Sequence, residues 1–489
     1  MNTIKHSNEA IIKYAQIKKG HYLKNTLDAL ITPVIKDRSK DLEEFKNYRP
    51  VSNLSFISKI AEKVLYLQLN SYIENNKLHA INQSSYRMYH SCETAMYRVM
   101  GDIQESVNKK ESVALVMLDS SSAFDTVDHD VLSWKLENDF GIRGKALRLI
   151  ESYLCGRSFS VKVGNVQSSP KQLMFGVPQG SLLGPLLYIL YTKDLESVAK
   201  KLGFKVHMYA DDCQLYLSFT KSSTNQMELN FNQCLEKVKQ WMDENFLKLN
   251  ADKTKLKIFS PKSQEIYTSL KFEDTTIFPT ETVDILGVRI GENLNYTAFI
   301  SKKVQVCYYH LRNLYHIKDS LPFRSKVLLV KSLILSSLDY CNSILICATA
   351  NDLKPLKLSL NRAVRFIFNL SRREHITPYL QELHILPIRH RIRFKICLLG
   401  FKVLNHIAPF YICEKYTLFC PTTAINLRTG CGRDQLMFRP ISERQTKDSI
   451  FDKLVIEWNS LPLSIRSCRT LTIFKEKLKT FLFKDAFLK

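Results

Sequence analysis

The chain has 489 residues, of which 45% are hydrophobic and 24% charged. These fractions are those of a globular protein and exclude wholesale disorder, and 15 Gly and 15 Pro are too few for a collagenous or low-complexity chain. The 70 Lys and Arg against 47 Asp and Glu give a net charge of +23. This excess favours a polyanionic partner, nucleic acid first and an anionic membrane surface second. A basic protein whose charge only keeps it soluble is the plain alternative.

The positive charge is concentrated in the second half of the chain. From Ile300 to Lys489 there are 32 Lys and Arg against 13 Asp and Glu, a net +19, which leaves +4 for the first 299 residues. The length suggests two to four domains. A nearly neutral front and a basic back predict two parts with different tasks.

The front of the chain alternates between helical and extended patterns, which predicts an α+β fold. Val113–Leu118 is a continuous apolar run that stops at Asp119 and predicts a buried strand. The other predicted elements, in chain order, are a helix at Ile57–Tyr72, strands at Phe159–Val163 and Val206–Met208, helices at Ser181–Tyr191 and Asn230–Asn245, and short strands at Lys255–Phe259 and Val283–Ile290.

The back of the chain is mostly helical by its apolar period. The clearest segments are Tyr308–Leu321, Arg324–Leu338, Leu356–Leu370 and Arg389–Leu404. No apolar stretch is long enough to span a bilayer, so no membrane contact is expected.

The twelve cysteines include no Cys-x-x-Cys pair, and most lie in apolar runs. Together with the absence of an apolar secretory signal in Met1–Lys24, this predicts an intracellular, reducing environment. A late zinc site built from Cys413, Cys420, Cys431 and a His stays open as an alternative.

Three acidic residues follow predicted strands. Asp119 ends the buried strand, and Asp211 and Asp212 lie between two extended segments, as in the turn of a β-hairpin. Neighbouring carboxylates repel each other unless cations neutralise them. Two Mg²⁺ ions roughly 3.5–4 Å apart would do so and would activate a hydroxyl nucleophile. An exposed acidic turn is the alternative for an Asp-Asp pair taken alone.

Further motifs accompany these carboxylates, and together they resemble a known family. Ala123–His129 follows the first Asp, and the glycine-rich run Phe175–Pro185 contains Gly176-Val-Pro-Gln-Gly180 before Tyr209-Ala-Asp-Asp212. The set resembles reverse transcriptases, most closely those of non-LTR (LINE-type) retrotransposons. Additional matching segments are Asn47-Tyr-Arg-Pro-Val-Ser52, Gln83–Arg87 with His90–Thr94, Leu247–Thr254, Leu286-Gly-Val288, Trp458–Pro462 and Phe474–Thr480.

The resemblance implies a right-hand polymerase fold with fingers, a palm built on an antiparallel sheet and a helical thumb, followed by a basic helical C-terminal region. The expected division is residues 1–30 as an N-terminal extension, 31–292 as fingers and palm, 293–370 as thumb, and 371–489 as the C-terminal region. The implied reaction copies an RNA template into DNA from a DNA 3′-hydroxyl primer, using deoxynucleoside triphosphates and two Mg²⁺ ions, for which Mn²⁺ can substitute. The chain is expected to lack the upstream endonuclease common in such elements.

The resemblance also implies residue roles. Asp119 and Asp211 match the metal ligands, Asp212 matches the third catalytic carboxylate, and the carbonyl of Ser120 would complete a metal shell. Phe124 matches the aromatic residue beneath the sugar that excludes a 2′-hydroxyl. The remaining nucleotide-binding candidates are Gln179 and Gly180 beside the template and incoming base, Arg49 at the triphosphate, and Lys253 at the departing pyrophosphate. For Arg49 and Lys253 the alternative is a solvated surface charge.

Basic clusters in the back half predict a nucleic-acid interface. Arg362, Arg365, Arg372 and Arg373 form one cluster, and Arg389, Arg391, Arg393 and Lys395 form another, both among aromatic residues. The alternatives are that the aromatic residues belong to the core and that the charges are merely solvated.

Two other functional classes stay open. One is a catalytically inactive descendant that binds RNA or DNA without copying it, and the other is a group II intron-type maturase, which the Trp458–Pro462 ending disfavours. The sequence departs from the family pattern at Ser120, Ser122, Ser84–Tyr86 and Lys255, but no metal ligand is lost. Nuclear action during integration and a cytoplasmic ribonucleoprotein are the expected locations, and the oligomeric state is unknown.

Overall fold

The computed structural model describes residues 21–22, 27–36, 40–121, 124–261, 264–418, 436–438 and 449–488. The strands and helices of the first 260 residues, in chain order, are β1 Ala29–Ile35, β2 Tyr48–Asn53, α1 Phe56–Asn75, α2 Cys92–Asn108, β3 Ser112–Leu118, β4 Ser120–Ser121, α3 His129–Asn138, α4 Lys145–Leu154, β5 Ser158–Val163, β6 Val166–Gln167, β7 Lys171–Gln172, α5 Gly184–Tyr191, α6 Leu195–Lys201, β8 Lys205–Tyr209, β9 Asp212–Phe219, α7 Thr224–Glu244, β10 Lys248–Leu249 and β11 Lys255–Phe259.

The remainder begins with small hairpins and is then almost entirely helical. Its elements are β12 Leu270–Phe272, β13 Thr275–Ile277, β14 Val283–Ile285, β15 Val288–Ile290, α8 Thr297–His316, α9 Phe323–Leu329, a π-helical turn Val330–Leu335, α10 Ser336–Asp339, α11 Ala350–Phe368, α12 Thr377–Glu382, α13 Ile388–Leu404, α14 Phe410–Cys413, β16 Tyr416–Leu418, β17 Leu436–Phe438, α15 Ile450–Asn459, α16 Leu463–Arg466 and α17 Leu471–Phe487.

A four-stranded antiparallel sheet lies at the centre of the front half, in the order β11-β3-β9-β8. β3 carries a continuous apolar run, and its residues Val113–Val116 are buried because α2 and α7 pack against the sheet. β8 and β9 form a hairpin in which Tyr209 faces Asp212, so Ala210 and Asp211 make the turn. The predicted strand ending at Asp119 and the predicted Asp-Asp hairpin are therefore confirmed.

A second sheet covers the amino-terminal side. β1 pairs antiparallel with β2 and parallel with β5. β5 in turn pairs antiparallel with β6 and with β7. The Ser52 N–H donates to the Gln179 carbonyl over 2.7 Å, and this bond fixes the second sheet to the glycine-rich loop.

The predicted elements are largely confirmed, with local corrections. Val283–Ile290 is not one strand but the hairpin β14–β15, because Leu286 and Gly287 adopt positive φ angles of 48° and 76° and reverse the chain. The helix predicted over Ser181–Tyr191 begins only at Gly184, and the one predicted over Tyr308–Leu321 is the second half of α8, which ends at His316.

The interior is divided between two hydrophobic clusters. One contains α1 and α3–α7 with one face of the central sheet. The other runs from α2 and β3 through α8–α11 to α13, α15 and α17, and includes Met96, Phe366 and Trp458. This second cluster is continuous across residues 292 and 370, where the sequence predicts domain boundaries. Those boundaries stay predictions.

Two other expectations concern membranes and cysteines. Within the described residues, no helix is both long and apolar enough to cross a membrane. The ten cysteines in the described ranges are free thiols. Cys420 and Cys431 lie outside the described residues, so the alternative zinc site is not tested.

Candidate active site

A cleft of about 810 Å³ opens where the central sheet, the glycine-rich loop and the second sheet meet. It is lined by all nine residues predicted for catalysis and nucleotide binding: Asp119, Ser120, Phe124, Arg49, Gln179, Gly180, Asp211, Asp212 and Lys253. They come from five separate stretches of sequence. The fold therefore brings the predicted set to one place, while the role of each residue stays a prediction.

Asp119 follows the last residue of β3, and the backbone around it is fixed. Its carbonyl accepts the Asn250 N–H over 2.9 Å, and β4 pairs with β10 beside it. This pairing brings the Leu247–Thr254 segment to the cleft, where the Lys253 ammonium lies 2.9 Å from Asp119 Oδ2. Lys253 is thus an ion-pair partner of a catalytic candidate, although 57% of its side chain is exposed, and its role stays a prediction.

Asp211 and Asp212 are held by the hairpin turn, and the turn is held by a neighbouring segment. Ala210 has a φ of 56°, and its N–H donates to Ser85 Oγ at 2.8 Å and to Gln83 Oε1 at 3.2 Å. These two polar residues belong to the Gln83–Arg87 motif, so that motif has a structural task beneath the turn.

The two carboxylates of the turn share an unfavourable environment. Desolvation by burial, followed by repulsion from Asp211 and Asp119, raises the pKa of Asp212 to about 6. Burial and the charge of Asp119 also raise the pKa of Asp211, although Arg49 and Lys253 oppose this. The site therefore favours an added positive charge.

Divalent metal ions suit the chemistry of this donor set, because Mg²⁺ prefers carboxylate and carbonyl oxygens. In the arrangement described, however, no three His, Cys, Asp or Glu side chains of the described residues are close enough to hold a metal. Asp119 is turned to Lys253 instead. The residues fit a metal by type and by electrostatics, and their side chains would have to converge on it.

The glycine-rich loop forms the wall opposite the carboxylates. Gly180 has a φ of 107°, and an added Cβ would come within 2.9 Å of the Ser52 carbonyl oxygen. Gly176 is closed off in the same way by the backbone of Asp125, at 2.7 Å. Only glycine fits at either position. Gln179 Nε2 lies 2.9 Å from both carboxylate oxygens of Asp125, which orients its amide along the cleft.

Phe124 lies on a second aromatic ring. Its ring stacks on Tyr188 with centroids 4.5 Å apart and an interplanar angle of 30°. Burial raises the pKa of Tyr188 far above its usual range, so its hydroxyl stays protonated beneath the cleft.

Three of the cleft residues that the sequence does not predict as site residues have shifted pKa values. Lys36 follows β1, and burial together with the charges of Lys253, Lys40 and Arg49 lowers its pKa. Tyr86 has a φ of 55°, and burial and Asp211 raise its pKa. The third is Asp125, the partner of Gln179. The paired register Val34↔Arg49 places Lys36 near Arg49, but no local sequence signal indicates that strand pairing.

The predicted nucleic-acid residues of the back half fall into two groups. Arg391, Arg393 and Lys395 are partly buried and paired within the chain: Arg391 with Asp339, Arg393 with Glu457 and Asp485 at 2.7 Å each, and Lys395 with Glu93 at 2.8 Å. Arg372, Arg373 and Arg389 are exposed, Arg362 lies 5.0 Å from the Tyr308 ring, and Arg365 is half-buried. Binding by any of the eight stays a prediction, and the paired group also stabilises the helical half.

Comparison with known proteins agrees with this geometry. The family model for the reverse transcriptase (RNA-dependent DNA polymerase) matches residues 35–290, a little over half of the 489. The chain belongs to this family, and together with its mixed sheets and helices this defines a right-hand polymerase-like fold.

Similar proteins indicate which kind of reverse transcriptase the chain resembles. The chain is similar to a probable RNA-directed DNA polymerase from transposon BS of Drosophila melanogaster, with 29% identity over 59% of this chain and 32% of the relative. It is also similar to the polymerase from the mobile element jockey of the same species, with 24% identity over 73% of this chain and 39% of the relative. The predicted resemblance to non-LTR retrotransposon enzymes is confirmed. The chain spans about a third of the length of these relatives.

Among solved structures, apo telomerase from Candida tropicalis aligns over 75% of this chain and 63% of that chain, with a TM-score of 0.41 and 11% identity. The Candida albicans telomerase with a fragment of telomeric RNA aligns over 76% and 64%, with a TM-score of 0.37 and 13% identity.

Proposed function

We propose that the chain is an RNA-directed DNA polymerase that extends a DNA 3′-hydroxyl on an RNA template, as expected for a non-LTR retrotransposon enzyme. The observation that carries the proposal is the convergence of the nine predicted residues on one cleft that also holds three mutually repelling carboxylates. A chain free of selection for catalysis would have no reason to keep such an unfavourable arrangement.

The proposed division of labour follows from the charges in the cleft. Asp119, Asp211 and Asp212 would hold two divalent metal ions, Mg²⁺ or Mn²⁺, which when bound supply Lewis acidity for nucleotidyl transfer. Arg49 and Lys36 face the carboxylates from the second sheet and would bind triphosphate oxygens. Lys253, released from Asp119, would neutralise the departing pyrophosphate.

The remaining cleft residues would select and orient the nucleotide. The stacked Phe124 ring would lie under the sugar and exclude a 2′-hydroxyl, because its contact with Tyr188 prevents it from moving aside. Gln179 and Gly180 would lie beside the template and the incoming base. In this proposal the second sheet and α1 form the fingers, the central sheet forms the palm, and α8–α11 form the thumb. The nuclear and cytoplasmic locations stay predictions.

Primer extension on poly(rA)/oligo(dT) with Mg²⁺ tests the proposal. Asp211→Asn keeps the size of the side chain and removes a charge, and we expect it to reduce dTTP incorporation by roughly a thousandfold or more. Asp274→Asn, in the exposed β12–β13 turn, is the matched control and should keep wild-type activity.

The outcome also separates the alternatives. Folded wild-type protein that binds the template–primer but incorporates no dTTP would indicate an inactive nucleic-acid-binding descendant. Equal activity of wild type and Asp211→Asn would remove the carboxylates from the mechanism.

A further inference from the structure

A second cavity, of about 840 Å³, lies in the helical back half between α11, α12, the start of α13 and the end of α17. Its described lining has no residue in common with that of the active-site cleft. The two cavities differ in the balance of charge along their walls. In the cleft, Lys36, Arg49 and Lys253 face four aspartates. Among the described residues, the second cavity is lined by five Lys or Arg side chains and a single carboxylate. We refer to the second cavity as the basic groove.

One wall of the basic groove is a row of cations on α11. The row consists of Lys354, Lys357 and Arg365. The second and third of these follow the first by three and eleven residues, spacings that return to nearly the same side of an α-helix, so all three side chains lie on one face. At 1.5 Å per residue the row extends over about 16 Å. The Arg365 guanidinium donates to the carbonyls of Ser371 and Glu374 at 3.2 Å each, so it is held in position before any ligand arrives.

The opposite wall is formed by the loop before α12 and by the first turn of α13. Arg373 and Arg389 are exposed here and face the row on α11. Glu374 supplies the carboxylate, which accepts the Ser371 N–H at 2.7 Å and the Tyr379 hydroxyl at 3.2 Å and therefore serves to fold the loop. Pro387 precedes α13 and has no side chain able to cap it, so the positive end of this 17-residue helix adds to the field.

The floor of the basic groove is apolar. Leu353, Leu360, Ile376 and Leu380 are buried beneath it, and the half-buried ring of Phe487 lies at its end. Cations along the walls with apolar and aromatic surface between them suit a chain that carries phosphates outside and flat bases inside. A phosphate-only ligand would not use the floor.

We propose that the basic groove binds a single strand of nucleic acid, with phosphates along the Lys354–Arg365 row and bases against the apolar floor. Its volume of about 840 Å³ lies within the range of pockets for small ligands, about 300–1,000 Å³, and gives room for a few unpaired nucleotides. RNA and DNA share this chemistry. The groove would hold a strand at a place separate from the site of nucleotide addition.

Binding by the full chain tests this proposal without requiring catalysis, so its result is independent of the proposed polymerase activity. The groove variant Lys354→Glu/Lys357→Glu/Arg389→Glu is compared with the control Lys221→Glu/Lys237→Glu/Lys271→Glu, three exposed lysines that line neither cavity. Labelled 12-nucleotide single-stranded RNA, single-stranded DNA and duplex are titrated by fluorescence anisotropy at several salt concentrations. Excess unlabelled blunt-ended RNA–DNA hybrid, which has no single-stranded overhang, is present to occupy the cleft. Thermal melting checks that both variants are folded.

We expect the groove variant to bind single strands about tenfold more weakly than the control near 0.1 M salt, and its log–log salt slope to be smaller by about two, since three phosphate contacts at about 0.7 each are lost. Photo-crosslinking of 4-thiouridine RNA should map to residues 350–390 in the wild type and control. A difference between the RNA and DNA arms would identify the natural strand. Equal binding by both variants, preference for the duplex, or crosslinks confined to the cleft would each overturn the proposal.

Discussion

Asp212 shows how the active site works against the stability of the fold. Burial and the charges of Asp211 and Asp119 raise its pKa to about 6, from an ordinary value of 3.8. A carboxyl group whose pKa is higher in the folded state is favourable to folding when protonated, and this contribution is lost as the pH rises from about 4 through about 6. Above that range, the ionised and unneutralised Asp212 destabilises the metal-free protein.

Asp212→Asn should therefore stabilise the metal-free protein at pH 8 by about 1–3 kcal/mol, given 1.36 kcal/mol per pKa unit and partial solvation of the site. Near pH 4.5 the gain should be much smaller, because the wild-type carboxyl is then mostly protonated. Urea unfolding with EDTA at the two pH values measures both gains, and the exposed Asp274→Asn serves as the control. An equal gain at both pH values would contradict the electrostatic explanation.

At the scale of elements, the short helix α14 is connected to the β8–β9 hairpin, which carries Asp211 and Asp212, through hydrogen bonds. The Tyr411 hydroxyl lies 2.7 Å from Ser84 Oγ and donates to Thr94 Oγ1 at 3.1 Å. Ser84 Oγ is also 2.9 Å from His207 Nε2 on β8. The Ser84 N–H donates to the Met208 carbonyl at 2.9 Å, and the next residue, Ser85, holds the turn that carries Asp211. A residue 200 positions after the hairpin thus supports its geometry.

Tyr411→Phe removes these bonds and keeps the ring packed against His207. We expect a loss of about 1–2 kcal/mol in unfolding free energy, because buried hydroxyls lose their partner. We also expect a several-fold lower incorporation rate at saturating dTTP, since the turn is less firmly held. Quenched primer-extension assays measure the incorporation rate, and urea unfolding measures the free energy of unfolding. Tyr267→Phe, at an exposed tyrosine, serves as the control. Lower stability with an unchanged rate would restrict Tyr411 to a structural role.

The same elements show what the sequence can and cannot predict. The Tyr209–Asp212 hairpin and the strand before Asp119 follow from short-range patterns, so the sequence predicts them, and the family motifs indicate nine of the residues that line the cleft. The partners of Arg393 are Glu457 and Asp485, which lie 64 and 92 positions away. Counting charges along the chain cannot reveal such pairs, because they depend on how α13 packs against α15 and α17. The Ser84–Tyr411 bond, across 327 positions, was not predictable for the same reason.

On the scale of the whole molecule, the C-terminal helices are packed against the polymerase-like half. A buried ionic cluster joins them. Asp102 Oδ2 on α2 accepts hydrogen bonds from Arg98 Nε at 2.7 Å and from the Tyr216 hydroxyl at 2.8 Å, and the Lys415 ammonium forms an ion pair with Asp102 Oδ1 at 2.7 Å. These charges hold the pKa of Asp102 well below its usual range despite its burial. Beside this cluster, the Phe451 ring of α15 lies directly over Gly101, where an added Cβ would come within 2.2 Å of the ring.

Gly101 and Phe451 therefore provide a test of this packing by a double-mutant cycle. Gly101→Ala should destabilise the full chain by about 1–3 kcal/mol through overpacking, although alanine is the better helix former, and Phe451→Ala should cost about 3–5 kcal/mol through the cavity it leaves. In the double variant the methyl group enters the space left by the ring, so the combined loss should fall short of the sum by at least about 1 kcal/mol. Urea unfolding of the four proteins measures the coupling.

As a control, pairing Gly101→Ala with Phe231→Ala, in the other hydrophobic cluster, should give additive losses of unfolding free energy. Additive losses for the Phe451 pair as well would mean that α15 does not rest on α2 in solution, and that the C-terminal helices are not part of the core of the polymerase-like half.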